Sequence, residues 1–229
     1  MEKSTLPRHV GLIMDGNGRW AKKRLRPRSF GHSAGMNAMI EVAKRAKELG
    51  IEYLTVYALS TENLINRPKD ELEELFNLLR KYFSKHVKQL YKAGARVRVI
   101  GDRTPLPEDV KKLLDDGEKN SPDGAAFTLV FAINYGSRSE ILNAVNLLRG
   151  SDDKADEAAL ASKLYTDGLP DPDLIIRTGG EVRLSNFLLW QAAYAELYFT
   201  PVLFPDFTPA EFDKALEEYA KRNRRYGGL

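Results

Sequence analysis

The chain has 229 residues, of which 43% are hydrophobic and 29% charged, and a formal net charge of +3. These values exclude a disordered or fibrous chain and allow one sizeable buried core. There is no cysteine, which excludes disulfides, thiolate nucleophiles, cysteine-ligated zinc and iron–sulfur clusters, and with only His9, His32 and His86 a multi-histidine metal site is not expected.

From the N-terminus, Met1–His9 is polar and leads into only a few apolar residues, so no signal peptide is expected. Short apolar runs predict strands at Val10–Met14, Tyr53–Leu59, Arg96–Ile100, Phe127–Ile133 and Leu174–Ile176, with a weaker sixth at Leu197–Thr200. Helical patterns alternate with them at Ala34–Leu49, Pro68–Ala93, Pro107–Lys119, Ser137–Leu148, Asp156–Tyr165 and Pro209–Asn223. The longest begins at Pro68 with acidic residues in its first turns, and Leu72, Leu75, Phe76, Leu79, Phe83, Val87 and Leu90 recur on one face. Gly150–Asp153 reads as a short polar connector rather than a domain linker. The longest uncharged stretch around an apolar core, Gly124–Ser137, is shorter than the ~18 residues that suggest a membrane span. The expectation is an α/β fold: a single domain, residues 1–229, with a mainly parallel sheet of about six strands flanked by helices.

In such sheets ligands bind beyond the carboxyl ends of the strands. The residues there are Asp15-Gly16-Asn17-Gly18-Arg19, Ser60-Thr61-Glu62-Asn63, Gly101-Asp102-Arg103, Asn134-Tyr135-Gly136 and Arg177-Thr178-Gly179-Gly180-Glu181. Gly16-Asn17-Gly18-Arg19-Trp20-Ala21 matches the spacing of a dinucleotide fingerprint. Asp15 argues against that reading, because it would set a carboxylate against a pyrophosphate, and no acidic residue closes the second strand. The same Asp15 suits Mg²⁺, which binds through one or two carboxylates plus substrate phosphates. Arg19, Arg28, Arg177 and Arg183 would give phosphate bidentate guanidinium contacts. The basic run Lys22–Arg28 has no nucleic-acid motif beside it, so no nucleic-acid partner is expected, and the run Lys221–Arg225 reads as a solvated face.

His9 to Ala21 resembles the first signature of the cis-prenyltransferases, the undecaprenyl diphosphate synthase family. Phe30-Gly31-His32-Ser33-Ala34-Gly35, Ser60-Thr61-Glu62-Asn63 and Arg177–Phe187 resemble its following blocks. Trp190-Gln191, Ala195–Phe199 and Arg224–Gly228 continue in the same order. The chain departs from the family at Asn63-Leu64-Ile65-Asn66-Arg67-Pro68, where Asn-Trp-x-Arg-Pro is usual, and Val182 stands where some members have a metal-associated histidine.

The resemblance implies an enzyme that condenses an allylic diphosphate, typically farnesyl diphosphate, with successive isopentenyl diphosphates into a cis-polyprenyl diphosphate, with undecaprenyl diphosphate as a lipid carrier the expected product. It implies Mg²⁺ as cofactor, with Asp15 and Glu196 as its carboxylates. Gly16, Asn17, Gly18, Arg19, Trp20, Arg28 and His32 would cradle the allylic diphosphate, while Arg177, Arg183 and Ser185 would hold isopentenyl diphosphate. Ser60, Asn63 and Arg67 would assist the reacting groups, the proton going either to the diphosphate or through Asn63 and Ser60. A cytoplasmic homodimer with peripheral membrane contact for product release is also implied. Some relatives are non-catalytic partner subunits lacking parts of these signatures, whereas this chain keeps Asp15, Arg19, Arg177 and Arg183.

Overall fold

Strands buried on both faces need near-continuous apolar runs, which the central strands supply, while the edge strands carry charged residues. The strands are β1 (His9–Ile13), β2 (Tyr53–Ser60), β3 (Ala95–Ile100), β4 (Phe127–Tyr135), β5 (Leu174–Arg177) and β6 (Glu196–Phe199). A computed structural model of the protein describes residues 5–92, 94–149 and 156–222, without the side chains at 85, 86, 88 and 89. The sheet is parallel throughout, in the order β3-β4-β2-β1-β5-β6. Val10 of β1 lies opposite Leu54 of β2 on one side and Leu174 of β5 on the other. The connections leave β1 toward β2 and later return to its far side at β5, so the strand order reverses at β1. Crevices for ligands open at such a point.

The helices are α1 (Asn17–Lys23), α2 (Arg28–Glu48), α3 (Thr61–Asn66), α4 (Lys69–Lys92), α5 (Glu108–Lys119), α6 (Ser137–Arg149), α7 (Glu157–Ala161) and α8 (Pro209–Ala220). Alternate strand residues face two cores. Val10, Leu12, Leu129, Phe131, Leu174 and Ile176 join the first, where the α4 stripe also packs. Ile13, Val130, Ala132 and Ile175 join the second with Tyr135, Phe187 and Leu188.

Several boundaries differ from expectation. Helix α2 begins at Arg28, a turn and a half before Ala34, although two glycines weaken a helix there. The glycines are needed for contact, because a Cβ at Gly31 would strike the Asn17 main-chain oxygen and one at Gly35 its side-chain oxygen. Helix α7 ends at Ala161 rather than Tyr165, and α8 ends at Ala220. Ala93, the Gly150–Asp153 connector, Asn223 and the Arg224–Gly228 motif lie outside the described residues.

His9 is buried at the other end of the sheet, its Nδ1 2.7 Å from the Pro170 oxygen and its Nε2 2.7 Å from Thr55 Oγ1. Burial holds its pKa at about 4, against 6.5 when exposed. The unfolded chain therefore takes up this proton first as pH falls, and the stability due to neutral His9 is full above about 6.5 and lost toward 4. Denaturant unfolding at pH 7 and pH 4.5 is expected to show a smaller loss in His9→Gln than in the parent; equal losses would remove His9 from this account.

Candidate active site

Asp15 follows β1 directly and is held through its backbone. Its N–H donates to Thr178 Oγ1 (3.0 Å), and its carbonyl accepts from the Thr178 hydroxyl (2.7 Å) and from the Phe204 N–H (3.0 Å). The carboxylate is thus free to take cations. Its Oδ2 lies 3.1 Å from Arg177 Nη2 and its Oδ1 3.1 Å from Arg19 Nη2. Arg177 ends β5, buried, and its Nη1 donates to Ser185 Oγ and to the Arg183 carbonyl, both at 2.6 Å. Gly179 lets this corner close: a Cβ there would come 2.6 Å from Arg19 Nη2 and 3.0 Å from the Asp15 oxygen.

Across the crevice, Ser60 caps α3, its Oγ accepting the Asn63 N–H at 3.1 Å. Arg67 donates to Glu71 Oε1 at 2.6 Å, and Arg28 approaches Oε2 of the same carboxylate at 3.2 Å. Asn17 donates to the Met14 carbonyl, but among the described residues its buried Oδ1 has no partner, nor has the buried His32 Nε2. Burial, then the nearby Arg67 and Arg28, lower the His32 pKa to about 4. A neutral imidazole and two arginines shared by one carboxylate make a cradle for an incoming anion.

These groups open onto two joined spaces. A charged cavity of about 620 Å³ is lined by Asp15, Arg28, Ser60, Asn63, Arg67, Arg177, Arg183 and Ser185, among others. An apolar cavity of about 140 Å³ runs between α2 and α4, past Met36, Met39, Ala58, Leu75 and Leu79 to Phe83 and Phe131, with Asn17 and His32 at its polar end. Met14, Tyr57, Asn63 and Arg67 line both. Gly18 and Arg19 line an adjoining recess with Lys22 and Arg28.

Residues 13–227 match the family model described as "Putative undecaprenyl diphosphate synthase". The chain belongs to this family. It is 50% identical to an isoprenyl transferase of Streptococcus pyogenes serotype M6, over 97% of this chain and 94% of that protein. An isoprenyl transferase of Streptococcus mutans is 48% identical, over 99% and 95%. The fold is similar to that of lavandulyl diphosphate synthase from Lavandula x intermedia, solved in complex with dimethylallyl diphosphate: TM-score 0.94, 36% identity, 98% of this chain and 100% of that one. A probable undecaprenyl diphosphate synthase from Campylobacter jejuni gives a TM-score of 0.82 at 34% identity, covering 97% and 99%. The protein is a prenyltransferase of the cis-prenyl elongating family.

Two expected site residues of the prenyltransferase stand elsewhere. Trp20 lines none of these cavities: its Nε1 donates to Asp206 Oδ1 (2.6 Å), its ring stacks on Phe30, and Arg24 covers it. Glu196 begins β6 opposite Leu174, whereas Arg177 at the site lies opposite Phe199. Within one chain it is thus roughly 10 Å back along the strands from the Asp15 end, paired with Arg222 at 2.6 Å. The β3 end also stays apart, with Arg103 paired to Asp115 and Glu118. The sequence reading missed Thr178, Glu71 and Asn186. Glu71 had a signal, its i,i+4 spacing from Arg67; Thr178 and Asn186 lay inside quoted motifs without chemistry to single them out. Val182 is exposed and supplies no metal ligand.

Proposed function

We propose that the chain condenses an allylic diphosphate with isopentenyl diphosphate, repeatedly, into a cis-polyprenyl diphosphate. The observation that carries this reading is the continuity of an arginine-lined cavity with an apolar one through Met14, Tyr57, Asn63 and Arg67. A diphosphate with a hydrocarbon tail needs both spaces at that junction. The lavender relative's bound dimethylallyl diphosphate, itself an allylic diphosphate, supports the substrate class.

Asn17, Arg28, His32 and Arg67 would hold the allylic diphosphate, and Gly16 and Gly18 keep the backbone beside it uncluttered. Arg177, Arg183 and Ser185 would hold isopentenyl diphosphate. A carboxylate beside arginines in a cavity proposed to take two phosphorylated substrates fits Mg²⁺, which Asp15 would hold together with phosphate oxygens. The metal, when bound, offsets the charge that develops on the leaving diphosphate. Arg19 and Arg177, already aimed at Asp15, would add fixed positive charge to the same region. The allylic C–O bond breaks and the diphosphate leaves with its electron pair, the isopentenyl double bond supplies the electrons of the new C–C bond, and the proton lost from the isopentenyl unit goes to the departing diphosphate, directly or relayed through Asn63 and Ser60.

The reading includes farnesyl diphosphate as primer, an undecaprenyl product for lipid-carrier synthesis, and a cytoplasmic homodimer touching the membrane when its lipid product leaves. Among the described residues no helix is long and apolar enough to cross a membrane.

Arg183 is exposed and its side chain pairs with Glu181 at 2.5 Å on the surface, so its removal should spare the fold. Arg183→Ala is expected to raise the apparent KM for isopentenyl diphosphate roughly tenfold, the scale of one charge-assisted contact, with the allylic KM within about twofold. A defect confined to the allylic substrate would reverse the site assignment.

A further inference from the structure

At the rim of the charged cavity, three non-glycine residues within four positions have left-handed backbone: Ser185 (φ 49°), Asn186 (φ 65°) and Leu188 (φ 45°). Such conformations persist where the surroundings over-determine them, and they gather at functional sites. Here Phe187 and Leu188 are fully buried, and Phe187 stacks on Tyr57 with ring centroids 4.6 Å apart.

Asn186 is tied on three sides. Its main-chain oxygen accepts the Ser137 N–H at 2.8 Å, its Oδ1 accepts the Arg138 N–H at 2.9 Å, and its Nδ2 donates to Glu62 Oε1 at 2.8 Å. The amide's orientation is fixed by its partners, since one end faces an N–H and the other a carboxylate. Burial works to raise the Glu62 pKa, but hydrogen bonds led by that from Asn186 outweigh it and hold the carboxyl below its ordinary range. The loops meet closely: a Cβ at Gly136 would come 2.7 Å from Asn186 Nδ2 and 3.1 Å from Thr61 Oγ1.

One amide therefore joins the loop of Arg183 and Ser185, the start of α6, and helix α3 with Asn63. We infer that Asn186 is a positioning residue that sets the isopentenyl half of the site against the half carrying Ser60 and Asn63, so that the double bond meets the allylic carbon. The assignment rests on the functional reading above. Asn186 and Glu62 both line the charged cavity, and because Asn186 ties the loop of Ser185 to Glu62 its loss is expected to disturb alignment more than allylic binding.

The test is steady-state kinetics on Asn186→Gly, which removes the amide while suiting the left-handed backbone, beside Glu62→Ala and the double variant. Asn186→Gly is expected to raise the KM for isopentenyl diphosphate and lower kcat, together costing up to about 10²-fold in kcat/KM, the scale of a small misplacement of reacting groups. The allylic KM should stay within about twofold and Tm close to the parent's. The double variant should be little worse than the poorer single one, as expected for residues acting through one bond. Parent-like kinetics in Asn186→Gly, equal rises in both KM values with a fall in Tm, or additive losses in the double variant would each overturn the assignment alone. Absence of any five-carbon addition by the parent chain would overturn the functional reading and this assignment with it.

Discussion

Asp15→Ala is expected to lower turnover by roughly 10³-fold or more while leaving a folded protein, because it removes the carboxylate that pairs with Arg19 and Arg177 in the charged cavity. The fold should survive because the Asp15 backbone is anchored by Thr178 and Phe204 independently of its side chain. Arg177 also keeps two acceptors, Ser185 Oγ and the Arg183 carbonyl. The cost to stability should be about 1–2 kcal/mol, the scale of a lost charged hydrogen bond in a partly exposed pair. Asp15→Asn preserves the shape and one acceptor oxygen but not the charge. It should be nearly as inactive, which separates charge from packing. Turnover near that of the parent in either variant, in protein with an unchanged unfolding curve, would remove Asp15 from the mechanism.

Phe131→Ala is expected to change the product itself. The apolar cavity ends where Phe131 of β4 meets Phe83 of α4, with ring centroids 5.1 Å apart. Beyond them lies a void of about 20 Å³ lined by Ile40, Ala43, Tyr82, Val87, Leu90 and Leu129, with Met36, Met39 and both phenylalanines shared between the two spaces. Removing the Phe131 ring joins the two and gives a growing chain more apolar wall, worth about 0.8 kcal/mol for each CH₂ buried. The cavity costs stability, about 3–5 kcal/mol for a buried Phe→Ala, so products should be compared well below the lowered Tm. Mass spectrometry should show longer products than the parent makes. An unchanged length distribution would place the stop elsewhere.

The strands were legible because runs such as Phe127–Ile133 are apolar but for Thr128, as burial on both faces requires. The α4 stripe was legible because seven apolar residues keep helical spacing. Helices α1 and α3 were not, since seven and six residues are too few to show a period. The early start of α2 was hidden because Gly31 and Gly35 weaken a helix locally and are repaid only by contact with Asn17 across the fold. Around the charged cavity stand Asp15, Asn63, Arg177, Arg183 and Ser185; Asp15, Asn63 and Arg177 were legible just past strand ends, where a parallel sheet collects ligands, Arg183 as a loop arginine suited to phosphate, and Ser185 from the family resemblance alone. The position of Glu196 was not legible for a related reason: a motif's order along the chain does not tell which end of a strand a residue occupies, and within one chain Glu196 stands at the start of β6. Trp20 shares a motif with Arg19, yet its indole is drawn to Asp206, a residue 186 positions away.

The central claim is best tested by the masses of the products formed when the purified chain is incubated with farnesyl diphosphate, isopentenyl diphosphate and Mg²⁺, with and without EDTA. The expected result is a ladder of five-carbon additions that disappears when the metal is chelated. A folded protein that makes no product from any allylic diphosphate, or a ladder indifferent to EDTA, would contradict it.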